Sequence, residues 1–408
     1  MARWRDLTDL ASELAGGARR AARAVERALG KTGAYRVVGY RGYGTAERVL
    51  LLGRVVEHTR ILDAEASHSP WRNLLATWQR IDADPLPHAT ARARLAGRAI
   101  DVVADDEGFL RRWVAPTLPL TGTGWHTIDL ELVASPDTPE QRALDAPHRP
   151  AYVLVPPPSS QFGVISDMDD TVLQSEITNF LRAARLMLLE NARTRLPFPG
   201  VAAFYRALER GTGVTGSSAS NPIFYVSSSP WNLYDVIAGF LEAQNIPTGS
   251  MLLRDWDIGA SLLKNREYKL SQIREILRTY PTLPFILVGD SGQEDPEIYE
   301  SVVREFPGRI LAIYIRNVTP EPERLESIRR LSQEVQAAGS SLVLADDTLA
   351  VARHAAAHGW IAEDCLSEIG SEKRADEGKG GKVDAPGVAR EEAPTVVVDE
   401  SVRKRDVE

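Results

Sequence analysis

The stretch FGVISDMDDT, residues 162–171, carries the clearest structural signal in this chain. Five largely apolar residues lead directly into Asp167, Asp169 and Asp170. A short apolar run bounded by polar turn residues is typical of a buried strand in a parallel sheet. Ligands bind at the carboxyl ends of such strands, so the acidic residues mark a candidate functional site.

Further runs of this kind follow, and they alternate with amphipathic stretches. This alternation predicts an α/β domain with a Rossmann-like parallel sheet covered by helices on both faces. A last segment, residues 341–361, adds one more strand and helix. The apolar runs are PIFYVS (222–227), SMLLRD (250–255), FILVGD (285–290) and RILAIYI (309–315), and the amphipathic stretches are FYRALER, LYDVIAGFLEAQ, KLSQIREILRTY and EIYESVVREF.

The chain before this domain has a different pattern. Residues 32–155 contain short β-branched runs bounded by turn residues, and WHTIDLELV (125–133) alternates apolar and polar positions. This pattern predicts a small β-sandwich domain. Within it, WRNLLATWQRI (71–81) has helical spacing. PPPSS (156–160) predicts a stiff linker to the α/β domain, which we assign to residues 161–369.

The two ends of the chain differ from the domains. Residues 1–31 predict an amphipathic helix, which could pack on the protein or contact an anionic membrane surface. Its alanine-rich apolar face favours the first alternative. Residues 370–408 are charged with few large apolar side chains, so we expect a disordered tail.

Composition narrows the class of protein. The 408 residues are 43% hydrophobic and 25% charged, as in soluble globular proteins. A net charge of −8 argues against nucleic acid as the main partner. The single cysteine, Cys365, excludes an intrachain disulfide and a thiol-built metal site. No apolar run reaches membrane-spanning length and no signal core precedes the domains, so we expect a cytoplasmic protein.

Polar residues follow several predicted strands at the same edge of the sheet. Ser227 and Ser228 follow the second run, and Asp290 ends the fourth, with Asp295 five residues later. Lys269 opens the amphipathic stretch before the fourth run. We therefore expect carboxylates, hydroxyls and one ammonium group to meet at this edge.

Such a set of groups has a chemical use. Clustered carboxylates stay ionised only beside a cation, and oxygen ligands favour Mg²⁺. One carboxylate can attack phosphorus while a second protonates the leaving oxygen. The hydroxyl and ammonium groups can bind phosphoryl oxygens. A single Asp-x-Asp is usually a solvated turn, and a serine after a strand is often a helix cap. All four elements in order predict phosphoryl transfer.

In this order, DMDDT, Ser227, Lys269 and GDSGQED resemble the motifs of the haloacid-dehalogenase superfamily. The resemblance implies haloacid-dehalogenase topology, with Asp167 as nucleophile and Asp169 as acid/base. Ser227, Ser228 and Lys269 would bind phosphate. Lys264, five residues before Lys269, is the rival lysine.

The same resemblance implies a Mg²⁺ site. Its residues would be Asp167, the backbone carbonyl of Asp169, Asp290 and Asp295, the last ligating the metal or orienting its water.

Six longer stretches carry a closer resemblance: YRGYGT (40–45), FGVISDMDDTV, NARTRLPFPGVAAFY (191–205), FYVSSSPWNLYD (224–235), LLRDW (252–256) and GDSGQEDPEIY (289–299). Through them most of the chain resembles the bacterial branch of the phosphatidate phosphatase catalytic-domain family, known from a fungal actin-patch protein. This resemblance implies Mg²⁺-dependent removal of phosphate from phosphatidate, which gives diacylglycerol.

The spacing of the motifs bears on the substrate. Neither gap between motifs can hold a large cap domain, so we expect an open site suited to bulky or surface-bound substrates. The apolar helix at residues 177–190 is either a core helix, which we favour, or a wall for acyl chains. We place Thr171, Trp231 and Arg254 at the mouth of the site. Four arginines could meet headgroup phosphates or form a solvated face: Arg182, Arg185, Arg193 and Arg195.

Three functions remain open at this point. The first is a phosphatidate phosphatase with peripheral contact to the inner membrane face. The second is a soluble phosphatase for a non-lipid phosphomonoester. The third is a non-catalytic interaction module on the same scaffold, which the intact acidic set disfavours.

Overall fold

The computed structural model describes residues 34–58, 85–134, 148–168, 199–212, 220–254, 262–318 and 321–380. Within these ranges the chain forms an all-β part followed by an α/β part. No helix among these residues is both long and apolar enough to cross a bilayer.

The all-β part consists of two sheets around an aliphatic core. Three antiparallel strands form the first sheet in the order β1-β3-β6, and five form the second in the order β2-β8-β7-β4-β5. In the second sheet β2 and β8 are parallel and the other pairs antiparallel. The strands are β1 (Ala34–Gly39), β2 (Arg41–Tyr43), β3 (Val49–His58), β4 (Thr90–Leu95), β5 (Arg98–Val103), β6 (Phe109–Val114), β7 (Gly124–Ala134) and β8 (Ala151–Val155).

Strand β3 is apolar on both faces because it separates two cores. Val49, Leu51 and Val55 pack between the two sheets of the all-β part. Leu50 and Leu52 point to the opposite face and belong to the core of the α/β part. The continuous run VLLLGRVV thus marks a strand covered on both sides, and the core of the α/β part includes residues of the all-β part.

The α/β part contains the predicted parallel sheet, which has six strands in the order β11-β10-β9-β12-β13-β14. The chain places two strands on one side of β9 and then crosses to the other side for three more. The topological switch point therefore lies beside β9, where open α/β sheets bind ligands. The strands are β9 (Gly163–Asp167), β10 (Ile223–Pro230), β11 (Ser250–Arg254), β12 (Phe285–Asp290), β13 (Ile310–Arg316) and β14 (Ser341–Ala345).

Seven α-helices among the described residues accompany this sheet. Apolar residues of these helices join the core against the sheet, and the last helix packs on the first and the sixth. The Asp347 side chain caps the sixth helix by accepting from Leu349 N at 2.8 Å. The helices are α1 (Val201–Arg210), α2 (Tyr234–Ala243), α3 (Leu262–Thr279), α4 (Asp295–Glu305), α5 (Pro322–Ala337), α6 (Thr348–Ala357) and α7 (Cys365–Gly380).

Two expectations about helices are wrong. Lys269 does not open its helix, because α3 begins at Leu262 and includes the LLKNREY segment before the lysine. The expected boundary of the disordered tail at residue 370 is also too early, because α7 continues to Gly380. Its acidic side chains bind α1: Glu372 pairs with Arg206 at 2.6 Å, and Asp376 accepts from Gly200 N at 3.0 Å. These partners stabilise a segment whose composition alone predicts disorder.

Several predictions fall outside the described residues. These are the helices at residues 1–31, 71–81 and 177–190, the absence of a large cap between residues 169 and 198, and the tail from residue 381 onward.

Candidate active site

Asp167 ends strand β9, and its two neighbouring strands carry the other predicted groups. In the register of the sheet, Asp167 pairs with Val226 of β10, so Ser227 follows directly beside it. On the other side, Ser166 pairs with Val288 of β12, and Asp290 ends that strand. Parallel pairing thus brings three polar residues to one edge of the sheet, as the sequence predicts.

Three carboxylates converge at this edge. One oxygen from each of Asp167, Asp290 and Asp295 lies within 4.8 Å of the other two. All three side chains are buried or nearly so, and Asp295 is 0% exposed. Asp295 joins the group because α4 begins at this residue, just after the loop that follows β12.

Lys269 faces two of these carboxylates. Its Nζ lies 2.7 Å from Asp167 Oδ1 and donates to Asp295 Oδ1 at 3.0 Å. It also donates to Gln293 Oε1 at 3.3 Å. A buried ammonium group is stable only when it is paired in this way. The structure therefore places Lys269 beside Asp167, while the side chain of the rival Lys264 lies outside the described residues.

The loop after β12 holds Asp290 and Asp295 through backbone contacts. Asp290 Oδ1 accepts from Gly292 N at 2.6 Å and Gln293 N at 3.1 Å. Asp290 N in turn donates to Asp295 Oδ2 at 3.2 Å. Gly289 permits this approach, because a Cβ there would lie only 2.6 Å from Asp295 Oδ2. The string GDSGQED thus folds into a rigid acidic loop.

The donor chemistry of the site fits a divalent cation. Three carboxylates and one ammonium group within a few ångströms carry a net charge of about −2 when all are ionised. Such a charge is costly in a buried site, and a cation bound by carboxylate oxygens would offset it. Oxygen donors of this kind suit Mg²⁺ better than softer metals.

The hydroxyls predicted to bind phosphate lie at the end of β10. Ser227 is fully buried, and its Oγ accepts from Ser229 N at 2.9 Å. This bond lies within the last residues of β10, beside Asp167. Ser228 is half-buried between the two serines.

The residues assigned to the mouth of the site have different positions. Trp231 is buried and stacks on Tyr40 of the all-β part, where apolar packing between the two parts of the chain holds its ring. Arg254 ends β11 half-buried and bonds Asn265 of α3. Thr171 and the predicted acid/base Asp169 lie outside the described residues.

Two buried tyrosines beneath the carboxylates carry no signal of their own in the sequence. Tyr205 shares a 2.6 Å hydrogen bond with Ser166, whose Oγ donates to the carbonyl of Asp167 at 2.8 Å. Burial raises the pKa of Tyr205 to about 12, and the Asp167 charge adds to this rise, whereas the Ser166 hydrogen bond opposes it. Burial, with the charges of Asp295 and Asp167, also raises the pKa of Tyr299 well above its ordinary value. Both phenols are therefore neutral supports of the site at physiological pH.

A cavity of about 120 Å³ adjoins Asp167 and Asp290. Its walls come from α1, α6 and the ends of β9, β12, β13 and β14, and they are mainly apolar. Within the described part of the chain, the buried Thr348 hydroxyl on its wall has no hydrogen-bond partner. The sequence does not predict this cavity, because its lining residues are far apart along the chain: Met168, Val201, Phe204, Val288, Tyr314, Ile315, Thr348 and Val351.

Comparison with known proteins points to one family. Residues 162–317, which include all of these carboxylates and Lys269, match the family described as "Phosphatidate phosphatase APP1, catalytic domain". Over 158 residues the chain is 32% identical to "Phosphatidate phosphatase APP1" of Saccharomyces cerevisiae, covering 38% of this chain and 25% of that protein. It is also 25% identical over 224 residues to "Uncharacterized protein C29B5.04c" of Schizosaccharomyces pombe, covering 53% of this chain and 34% of that protein.

The matched regions thus span about a quarter to a third of these relatives. Among solved structures, a carbohydrate acetylesterase from Xanthomonas citri, XAC1771, is 12% identical and covers 74% of this chain and 72% of its own. Its TM-score of 0.24 is too low to support an argument.

Proposed function

We propose that this chain is a Mg²⁺-dependent phosphomonoester hydrolase that acts through an aspartyl-phosphate at Asp167, and that its substrate is phosphatidate. The observation that carries the proposal is the position of Lys269 Nζ, 2.7 Å from Asp167 Oδ1, with Asp290 and Asp295 beside them. The strand order around β9 agrees with a haloacid-dehalogenase topology, which is part of the proposal.

In the first step, an Asp167 oxygen attacks phosphorus, and the bond from phosphorus to the diacylglycerol oxygen breaks. That oxygen takes a proton from Asp169. Lys269 and Ser227 hold the phosphoryl oxygens and stabilise the charge that develops on them. Buried positions strengthen these contacts, because water does not screen them.

In the second step, water attacks the phosphoryl group on Asp167 while Asp169 accepts its proton. The bond between phosphorus and the Asp167 oxygen breaks, which releases orthophosphate and restores the carboxylate. Asp167, the carbonyl of Asp169 and Asp290 would hold Mg²⁺, and Asp295 would fix Lys269 and the loop. The metal, when bound, supplies positive charge that lets carboxylate and phosphate approach each other.

Two observations support a lipid substrate. The family match names phosphatidate phosphatase, and it covers the strands that carry the site. The cavity beside Asp167 is lined mainly by apolar groups, which suits a substrate with a hydrocarbon portion better than a sugar phosphate. A cytoplasmic location with reversible contact to the inner membrane face belongs to the same proposal.

Substrate preference tests this proposal directly. Purified chain with Mg²⁺ should release phosphate from phosphatidate in detergent micelles much faster than from glycerol 3-phosphate or p-nitrophenyl phosphate. Equal or faster turnover of the soluble esters would instead assign the chain to non-lipid phosphomonoesters. No turnover of any phosphate ester would favour a non-catalytic interaction module.

A matched pair of variants shows that the activity belongs to this site. Asp167→Asn should abolish phosphate release without changing the circular dichroism spectrum, because the amide has nearly the same shape as the carboxylate. Asp129→Asn, which changes an exposed aspartate on β7, should retain wild-type turnover.

A further inference from the structure

We infer that the β-sandwich, which is the pair of sheets of the all-β part, positions the active site, because it contacts both elements that carry the phosphate-binding residues. We call each of these two sets of contacts a clamp. The inference rests on the proposed phosphatase function. It assigns Arg54 of β3 as a positioning residue that acts through the segment following Ser227.

The first clamp is an aromatic stack on the segment after β10. The ring of Tyr40 lies parallel to Trp231, with an interplanar angle of 6° and ring centroids 5.4 Å apart. Tyr40 also stacks on Tyr234 at 4.1 Å, and Phe109 packs on Trp231 at 6.0 Å. Trp231 directly follows β10 and lies four residues after Ser227, so the stack holds the chain just beyond the strand end that carries the serine.

Hydrogen bonds from the sandwich reach the same segment. Arg54, 6% exposed, donates from Nη1 to Asn232 Oδ1 at 2.8 Å and from Nε to the carbonyl of Glu107 at 3.2 Å. Its guanidinium group also lies 4.6 Å from the ring centroid of Phe109. Arg149 pairs with Asp235 at 2.6 Å on the next turn. A buried guanidinium group that joins two backbone segments in this way has one preferred geometry.

The second clamp holds helix α3, which carries Lys269. Glu275, six residues after the lysine, accepts from Trp113 Nε1 at 2.9 Å and from Arg111 Nη2 at 2.5 Å. Arg111 Nη2 also donates to Gln272 Oε1 at 3.2 Å, one turn from Lys269. These partners belong to strand β6 of the sandwich.

The two clamps hold the two elements whose side chains would bind phosphate. Ser227 and Lys269 come from different elements, β10 and α3, and the first sheet of the sandwich, β1-β3-β6, contacts the chain just after β10 and also α3. A displacement of about 1 Å in a positioning group can cost about 100-fold in rate. A domain that supplies no reacting atom can therefore determine turnover by fixing these two elements.

Arg54→Met tests the clamp, because methionine keeps much of the apolar volume and removes both hydrogen bonds. We expect kcat/KM for phosphatidate to fall about tenfold and inhibition by orthophosphate to weaken. Arg54→Lys should rescue little, since one ammonium group cannot reproduce the forked geometry. In a double-mutant cycle with Asn232→Ala, the two losses should not add, because both variants break the same contact.

Two controls separate positioning from general loss of stability. Leu51→Ala opens a cavity between the sheets of the sandwich and lowers Tm, but it should leave kcat/KM unchanged well below that Tm. Arg94→Met removes an exposed ion pair with Glu131 and should change neither Tm nor kcat/KM. Unchanged kcat/KM in Arg54→Met, with an active wild-type chain, would overturn the clamp and leave the proposed function standing.

Calorimetry tests the clamp without any assay of activity. The shared core predicts one unfolding transition for the sandwich and the α/β part together. Two independent transitions would contradict the inference even if the wild-type chain released no phosphate from any ester. If the wild-type chain were inactive, the proposed function would be wrong. The number of unfolding transitions would then be the only test of the clamp.

Discussion

Lys269 Nζ lies 2.7 Å from Asp167 Oδ1, and this contact joins the middle of helix α3 to the carboxyl end of strand β9. The ammonium group also donates a hydrogen bond to Asp295, so this buried cation pairs with two carboxylates of the acidic cluster. With three carboxylates and one ammonium group, acidic groups outnumber basic ones in this cluster. This composition suits a site that binds a divalent ion and a phosphoryl group.

Lys269→Met should lower turnover by about 100-fold or more, because the variant loses a charge that stabilises the phosphoryl oxygens. It should also lower Tm in the presence of a chelator, since the carboxylates would repel one another without the ammonium group. Added Mg²⁺ should then raise Tm more in the variant than in the wild-type chain. Lys373→Met, which breaks a pair with Asp347 distant in sequence from the acidic loop, should keep turnover within about twofold.

Asp290→Asn should raise the Mg²⁺ concentration needed for half-maximal turnover. The amide oxygen of the variant can still accept from Gly292 N and Gln293 N, so the loop should keep its fold. Isothermal titration with Mg²⁺ provides a readout that is independent of activity. An unchanged metal affinity would remove Asp290 from the ligand set.

Gly289→Ala should impair turnover through Asp295, because the new methyl group would lie 2.6 Å from the Asp295 carboxylate and displace it from Lys269. Gly239→Ala is the matched control: a Cβ there meets no atom within 4 Å, and alanine is favoured inside helix α2. The comparison of kcat and Tm for the two variants checks this prediction. Wild-type kcat in Gly289→Ala would show that Asp295 tolerates displacement.

The environment of His148 predicts that the β-sandwich loses stability at acidic pH. Its Nδ1 accepts from Val37 N at 3.1 Å, and partial burial lowers the pKa of the imidazole below its ordinary value of 6.5. At a pH below this ordinary pKa, the unfolded chain binds a proton that the folded chain does not. The free energy of unfolding is therefore at its full value above about pH 7 and falls as the pH drops toward the folded pKa. His148→Asn keeps an acceptor without a titrating group. Its Tm should therefore fall less than that of the wild type between about pH 7.5 and pH 5.

The parallel sheet and the acidic edge could be predicted from the sequence because their signals are local. Apolar runs such as FILVGD give the strands directly, and Asp290 ends its strand as expected. Strand ends then determine which polar residues meet. The sequence does not predict helix α5, because its residues are largely polar and few of its side chains, such as Ile328 and Val335, are buried.

Contacts between distant segments could not be predicted in the same way. Trp231 follows a strand end, which suggests a place at the site, but the ring packs on Tyr40 from another domain. The apolar cavity has the same origin, since its walls combine residues from six elements of the α/β part. Helix α7 is stabilised by ion pairs with α1, such as that between Glu372 and Arg206, which composition does not reveal. Each of these features depends on tertiary packing.

The proposed mechanism requires that Asp167 carries the phosphoryl group during turnover. To test this, the wild-type chain is mixed with phosphatidate and Mg²⁺, quenched in acid within one turnover, reduced with borohydride, and its modified peptide is mapped by mass spectrometry. We expect residue 167 to be reduced to homoserine and no other aspartate to be modified. A modification at a different residue, or none in a chain that releases phosphate under the same conditions, would show that Asp167 is not the phosphoryl acceptor.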